Sequence, residues 1–295
     1  MPLGDPQYAD LPNGIRLAWE SVGEGEPLLL VMGLGAQMLM WPESFCRMLA
    51  ERGFRVIRFD NRDVGLSTRL DGHGPVSLPR LLGALAGKGR ERAPYRLHDM
   101  AHDAVLLLDH LGIGDAHVVG ASLGGMVAQQ LAIQAPSRVR SLTSIMSTTG
   151  SRRVGMPAPR ALKALLTPME TTEEAHARRF VWFFQEVGSP AYPADPADLE
   201  AIARASFARG LAGDGFGRQL LAVLSSGNRT EGLQGLDVPA LVIHGDKDPL
   251  VTPSGGEATA KAIPGARFMR VAGMGHDLPR PVWPRFVDGI CELGR

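Results

Sequence analysis

An α/β fold with a buried, mainly parallel sheet is the fold class this sequence predicts, on three observations. Short apolar runs alternate with helix-period segments through the first half of the chain. The same alternation resumes near the end. Between the two regions lies a long stretch with several helical patterns and no convincing strand.

Ile15 to Val22 reads as a strand and Pro27 to Met32 as a buried one. Glu43 to Arg52 reads as a helix, because Phe45, Met48 and Leu49 recur at helical spacing. The strand Phe54 to Asp60, a helix from Leu97 to Leu111 and the strand Ala116 to Gly120 follow. A helix from Ser122 to about Ala135 stops before Pro136, and Val139 to Met146 returns as a strand. The late segment gives a strand Ala240 to His244, a helix Gly255 to Ala262, a strand Ala266 to Val271 and a terminal helix from about Trp283.

Two stretches break the alternation. Residues 151–233 are punctuated by Pro157, Pro159, Pro168, Pro190, Pro193 and Pro196 and predict an all-helical insert between two sheet strands, a cap or lid. The expected organisation is a core of residues 1–150 and 234–295 with a cap of residues 151–233. Residues 72–96 are Gly- and Leu-rich and carry Arg80, Lys88, Arg90, Arg92 and Arg96 against only Glu91. They read as a solvated basic loop or as a rim that draws in an anionic substrate or partner.

Composition excludes several classes. Among 295 residues, 31 Lys and Arg balance 31 Asp and Glu, which argues against a nucleic-acid binder. With 44% hydrophobic and 21% charged residues, the chain is an ordinary globular one. Cys46 and Cys291 are too few for a disulfide framework or a Cys-rich metal site and fit a reducing compartment. Leu28 to Gly35 is far short of the ~20 apolar residues that span a bilayer, and no basic-then-apolar leader is visible. A cytoplasmic protein without a membrane span is expected, and a homo-oligomer is left open.

The sharpest local signal is Gly120-Ala121-Ser122-Leu123-Gly124, a G-x-S-x-G sequence at a strand end and helix start. A nucleophilic serine there needs small neighbours, which Gly120, Ala121, Gly124 and Gly125 supply. A serine hydroxyl also needs a base, and the base an orienting carboxylate. His276 follows the last predicted strand on a Gly-rich turn, and Asp248 follows the penultimate one. Asp246 competes for the acid role and could instead hydrogen-bond loop N–H groups. Asp277 reads as a solvated neighbour of the histidine. Donors for an oxyanion are expected from the backbone N–H of Leu123 and, after the strand Leu28 to Met32, of Leu34 in Gly33-Leu34-Gly35.

Several other signals carry less. His98 and His102 sit four apart like zinc ligands, but Asp99 stands where the metalloprotease helix needs Glu, and both histidines fall beside the apolar stripe. Gly33 and Gly35 imitate a dinucleotide fingerprint that fails at Met38. No metal or cofactor is therefore expected. Met32, Met38 and Met40 read as core or pocket wall. Phe180, Trp182, Phe183, Phe184 and Phe207 read as the core of a lid, some of them lining an apolar pocket over Ser122.

Five motifs in order, namely Val31-Met32-Gly33-Leu34-Gly35, Asp60-Asn61-Arg62-Asp63-Val64-Gly65-Leu66-Ser67, the serine motif, His244-Gly245-Asp246-Lys247-Asp248-Pro249 and Gly273-Met274-Gly275-His276, make the chain resemble the α/β-hydrolase superfamily over nearly its whole length. Within it, the chain is most similar to aclacinomycin methylesterase-type esterases. It departs from the broader pattern at Met32, where many members have His, and at Asp63, where many have Gly. The resemblance implies an α/β-hydrolase fold and hydrolysis of a small-molecule apolar carboxylic ester through a Ser122 acyl-enzyme, with Asp248 and His276 completing the triad. Lactone or C–C bond hydrolysis uses the same three residues. A ligand-binding module with a vestigial triad is the alternative of another class.

Overall fold

The computed structural model describes residues 5–85, 93–168 and 170–293. Its first half contains β1 (Gln7–Asp10), β2 (Arg16–Val22), β3 (Glu26–Val31), α1 (Glu43–Ala50), β4 (Phe54–Phe59), α2 (Leu78–Leu85), α3 (Leu97–His110), β5 (Ala116–Ala121), α4 (Leu123–Gln134) and β6 (Val139–Ile145). Five helices follow: α5 (Pro159–Leu166), α6 (Glu173–Val187), α7 (Pro196–Ala208), α8 (Asp214–Ser226) and α9 (Thr230–Gln234). The chain closes with β7 (Ala240–Gly245), α10 (Ser254–Ala262), β8 (Arg267–Val271) and α11 (Trp283–Cys291).

The strands form one sheet in the order β1-β2-β4-β3-β5-β6-β7-β8. β1 and β2 pair antiparallel and β2 is antiparallel to β4, whereas every pair from β4 to β8 is parallel. The apolar runs are continuous because both faces are covered. Leu29 and Val31 point to a core shared with Leu97, Ala101 and Leu108 of α3 and Val127 and Leu131 of α4. Their neighbours Leu28 and Leu30 point to the opposite core, with Phe45 and Leu49 of α1 and Phe286 and Ile290 of α11. The period of two along a strand thus serves two cores at once.

Two elements go beyond the sequence reading. β1 buries only Ala9 of its four residues, so it has almost no hydrophobic pattern to reveal it. Its one legible sign is Asn13-Gly14, where Gly14 has φ +82° and Asn13 Oδ1 accepts from the Ile15 N–H in the turn to β2. α2 lies within the Gly- and Leu-rich stretch. The basic residues Lys88, Arg90 and Arg92, with Glu91, lie outside the described residues.

The stretch between β6 and β7 is helical, with no strand among the described residues. α6 and α7 pack on one another, α8 packs on α2 and α3, and α9 packs on α4 and α10. No helix among the described residues is long and apolar enough to cross a membrane.

Candidate active site

Ser122 sits between β5 and α4 with φ 56° and ψ −118°, a conformation that a residue with a Cβ rarely adopts. Small neighbours are compulsory here. A Cβ on Gly120 would lie 2.1 Å from the Gly124 carbonyl oxygen, and one on Gly124 would lie 2.0 Å from that of Val31. The turn is held by the Ser122 N–H donating to the Ile145 carbonyl at 2.9 Å and by Ser147 Oγ donating to the Ser122 carbonyl at 2.8 Å.

The loop after β8 brings His276 to this serine. Its Nε2 lies 3.0 Å from Ser122 Oγ and its Nδ1 lies 2.7 Å from Asp248 Oδ2. Only one tautomer serves both contacts: Nδ1–H donates to the carboxylate and bare Nε2 accepts from the hydroxyl. The His276 N–H donates to the Val187 carbonyl at the end of α6 at 2.7 Å, so the helical insert helps fix the loop.

Asp248 has no exposed side-chain surface. Its Oδ1 accepts from the N–H groups of Leu250 and Val251 at 2.9 and 3.0 Å, leaving Oδ2 for the imidazole. Burial pushes this carboxyl up, but the His276 charge and the two histidines that flank the carboxylate outweigh it and hold the group at about 2. The second histidine, His244, has Nε2 at 3.5 Å from Oδ2 while donating to the Val251 carbonyl at 2.8 Å.

Asp246 makes a loop hydrogen bond of the kind the sequence allowed it. Its Oδ1 accepts from the Gly273 N–H at 2.7 Å, bracing the turn that leads to His276. Asp277 is not a solvated neighbour. It is half-buried, hydrogen-bonded to Ser189 Oγ, and accepts from the Ser189 N–H at 3.3 Å. Burial raises its carboxyl above the ordinary range.

The loop after β3 passes beside the serine, since a Cβ on Gly33 would lie 3.3 Å from Ser122 Cβ. The Leu34 N–H in this loop has no acceptor among the described residues. Leu123 is the first residue of α4, so its N–H has no carbonyl within the helix to bond. Two residues that the sequence reading missed hold the loop. Asn61 Nδ2 donates to the Met32 carbonyl at 3.0 Å, and Gln219 Oε1, from α8, accepts from the Gly35 N–H at 2.8 Å.

Above Ser122 opens a cavity of about 2060 Å³, walled by the β3 loop, Met126 and Met146 on one side and by insert residues such as Phe180, Phe183 and Phe184 on the other. Met32 and Met40 line it, whereas Met38 is fully buried in the protein. Trp182 and Phe207 do not line it: Trp182 lies under the Arg179 guanidinium at 4.8 Å, and Phe207 packs on the His176 ring. His98 and His102 are exposed, and no cluster of metal-ligating side chains occurs among the described residues.

Strand order, serine turn and flanking helices define a class of protein, and comparison with known sequences agrees. The family described as alpha/beta hydrolase fold matches residues 26–279, and the chain belongs to it. The chain is 31% identical over 292 residues to rhodomycin D methylesterase DnrP of Streptomyces peucetius, covering 91% of each. It is likewise 31% identical over 307 residues to rhodomycin D methylesterase DauP of Streptomyces sp. (strain C5), covering 95% of each. Among solved structures it is similar to an enol-lactonase from Burkholderia xenovorans, with TM-score 0.71, 25% identity, and 97% of this chain and 99% of that one covered.

Proposed function

We propose that this protein is a serine hydrolase of carboxylic esters, working through an acyl-enzyme on Ser122. The observation that carries the reading is the unbroken relay Ser122 Oγ, His276, Asp248, with contacts of 3.0 and 2.7 Å, at the floor of a large apolar cavity. His276 takes the serine proton as Oγ attacks the ester carbonyl. The N–H groups of Leu34 and Leu123 receive the charge that develops on the carbonyl oxygen. Protonated His276 then gives its proton to the departing alcohol. Water, deprotonated by the same ring, releases the acid.

The similarity to two methylesterases favours a small alkoxy leaving group. A cavity of about 2060 Å³ leaves room for a bulky acyl body, more than the ~300–1,000 Å³ usual for ligand pockets. Residues 151–233 would serve as a lid over that body, on a core of residues 1–150 and 234–295. The similarity to an enol-lactonase supports a second substrate class for the same site, in which the leaving alcohol stays tethered to the acid. Cys46 and Cys291 are both buried and form no disulfide among the described residues, which suits a cytoplasmic setting.

Labelling with a fluorophosphonate tests the reading directly. One adduct per chain, mapped to Ser122 by peptide mass spectrometry, is expected, and Ser122→Ala should lose both the adduct and turnover of p-nitrophenyl butyrate. A folded protein that takes up no label would overturn it.

A further inference from the structure

The loop that carries His276 is held from two sides, and each side grips a different part of it. The core braces its start, where Asp246 Oδ1 accepts from the Gly273 N–H and the Lys247 N–H donates to the Met274 carbonyl at 3.0 Å. The helical insert grips its end. The Gly275 N–H donates to Ser189 Oγ at 2.9 Å, and the His276 N–H donates to the Val187 carbonyl at 2.7 Å. Ser189 lies two residues past the last residue of α6. Its hydroxyl donates to Asp277 Oδ1, and its N–H donates to Asp277 Oδ2 at 3.3 Å. The two backbones are in contact here, since a Cβ on Gly275 would lie 2.2 Å from the Gly188 carbonyl oxygen.

One hydroxyl therefore clamps both flanks of the histidine, accepting from the residue before it and donating to the residue after it. The peptide units next to His276 set the direction of its side chain. That direction matters, because the ring must meet Ser122 Oγ and Asp248 Oδ2 at once, at 3.0 and 2.7 Å, and a small misplacement of catalytic groups is costly in rate. Ser189 is 3% exposed and does not line the cavity, so it can act on the ring without touching substrate.

We propose that Ser189 and Asp277 are a positioning pair for His276, through which the helical insert fixes the imidazole between Ser122 and Asp248. The role of the pair in catalysis rests on the reading of Ser122 and His276 as an ester-cleaving relay.

Two readouts test it, kcat on p-nitrophenyl butyrate and the low-field proton resonance of the His276 Nδ1–H that is shared with Asp248. Ser189→Ala should lower kcat about 10- to 100-fold with little change in KM, and the resonance should broaden as the ring loses its single orientation. Asp277→Leu should do the same, whereas Asp277→Asn, which keeps an acceptor oxygen for the Ser189 hydroxyl, should retain part of both signals. Adding Asp277→Leu to Ser189→Ala should cost little more than either change alone. The pair is overturned if a Ser189→Ala protein with the parent's circular dichroism and urea midpoint keeps its kcat, or loses it while the resonance is unaltered. Should Ser189→Ala fail to fold, the two Asp277 variants decide, and equal behaviour of Asn and Leu overturns the pair. Because the resonance is read without substrate, failure of the ester-hydrolase reading stays distinct. It would appear as wild-type protein that neither turns over p-nitrophenyl butyrate nor takes the fluorophosphonate.

Discussion

Asp248 divides one carboxylate between the loop that holds it and the ring that it orients. Oδ1 satisfies two backbone N–H groups and Oδ2 the His276 Nδ1, so the imidazole has a single orientation available. With its folded value of about 2 below the ordinary 3.8, the carboxyl contributes stability above the ordinary value and loses it as pH falls through about 2. It therefore stays ionised between about pH 5 and 8, so its charge is constant across that window. Asp248→Asn should lower kcat by about 10⁴-fold, since it turns the imidazole to the wrong tautomer. Asp246→Asn keeps an acceptor for the Gly273 N–H and should cost far less. Steady-state kinetics on the two variants decide the assignment, and the opposite ranking would transfer the acid role to Asp246.

At the scale of elements, the turn around Ser122 and the loop bearing His276 were legible because strand, small residues and helix follow one another in a few positions. The supports of the β3 loop were not legible in this way. Gln219 meets Gly35 across 184 residues of chain, and nothing in the local sequence of α8 marks a glutamine as a partner of that loop. Asp277 was misread for the same reason, since Ser189 reaches it from the end of α6, 88 residues away. Gln219 is fully buried, and its Nε2 donates to the Arg62 carbonyl at 2.8 Å while Oε1 holds the Gly35 N–H. It can thus fix the loop carrying the Leu34 N–H without touching substrate. Gln219→Leu should lower kcat by up to about 10²-fold, the size of effect produced by small misplacement of catalytic groups. KM should change little, because the proposed Leu34 donor acts on charge that develops only in the transition state. An unchanged kcat in a folded variant would show that the loop holds its shape unaided.

At the scale of the whole molecule, the balanced charge of the sequence conceals ion pairs that fasten the helical insert to the sheet. Arg209, at the end of α7, donates to Asp60 Oδ2 at 2.7 Å at the tip of β4. Arg218 of α8 grips Asp63 through Nε and a terminal nitrogen at 2.9 and 2.7 Å, and neither side chain of this pair is exposed. Tyr95 Oη adds a hydrogen bond to the same carboxylate at 2.7 Å. This arrangement explains the departure at position 63. Asp63 has φ 69°, where glycine is the unstrained choice, and the carboxylate answers a cation that only the fold brings near. Burial alone would raise the Asp63 carboxyl, but the hydrogen bonds from Arg218, the Leu70 N–H and Tyr95, with the Arg218 charge, together outweigh it, so the folded value is lowered. The pair therefore stabilises above the ordinary carboxylate range, and that contribution is lost on acidification. Arg218→Met keeps the volume and removes the charge, leaving Asp63 buried and unpaired. The expected cost is about 3–5 kcal/mol, read from urea unfolding near neutral pH. Adding Asp63→Gly should recover a substantial part of the loss, since it removes the stranded charge and the unfavourable φ together. Arg218→Met should also flatten the loss of stability on acidification. If it left the urea midpoint unchanged, the insert would have to be held by its apolar contacts, the Arg209 pair and hydrogen bonds such as that from the Gly35 N–H to Gln219.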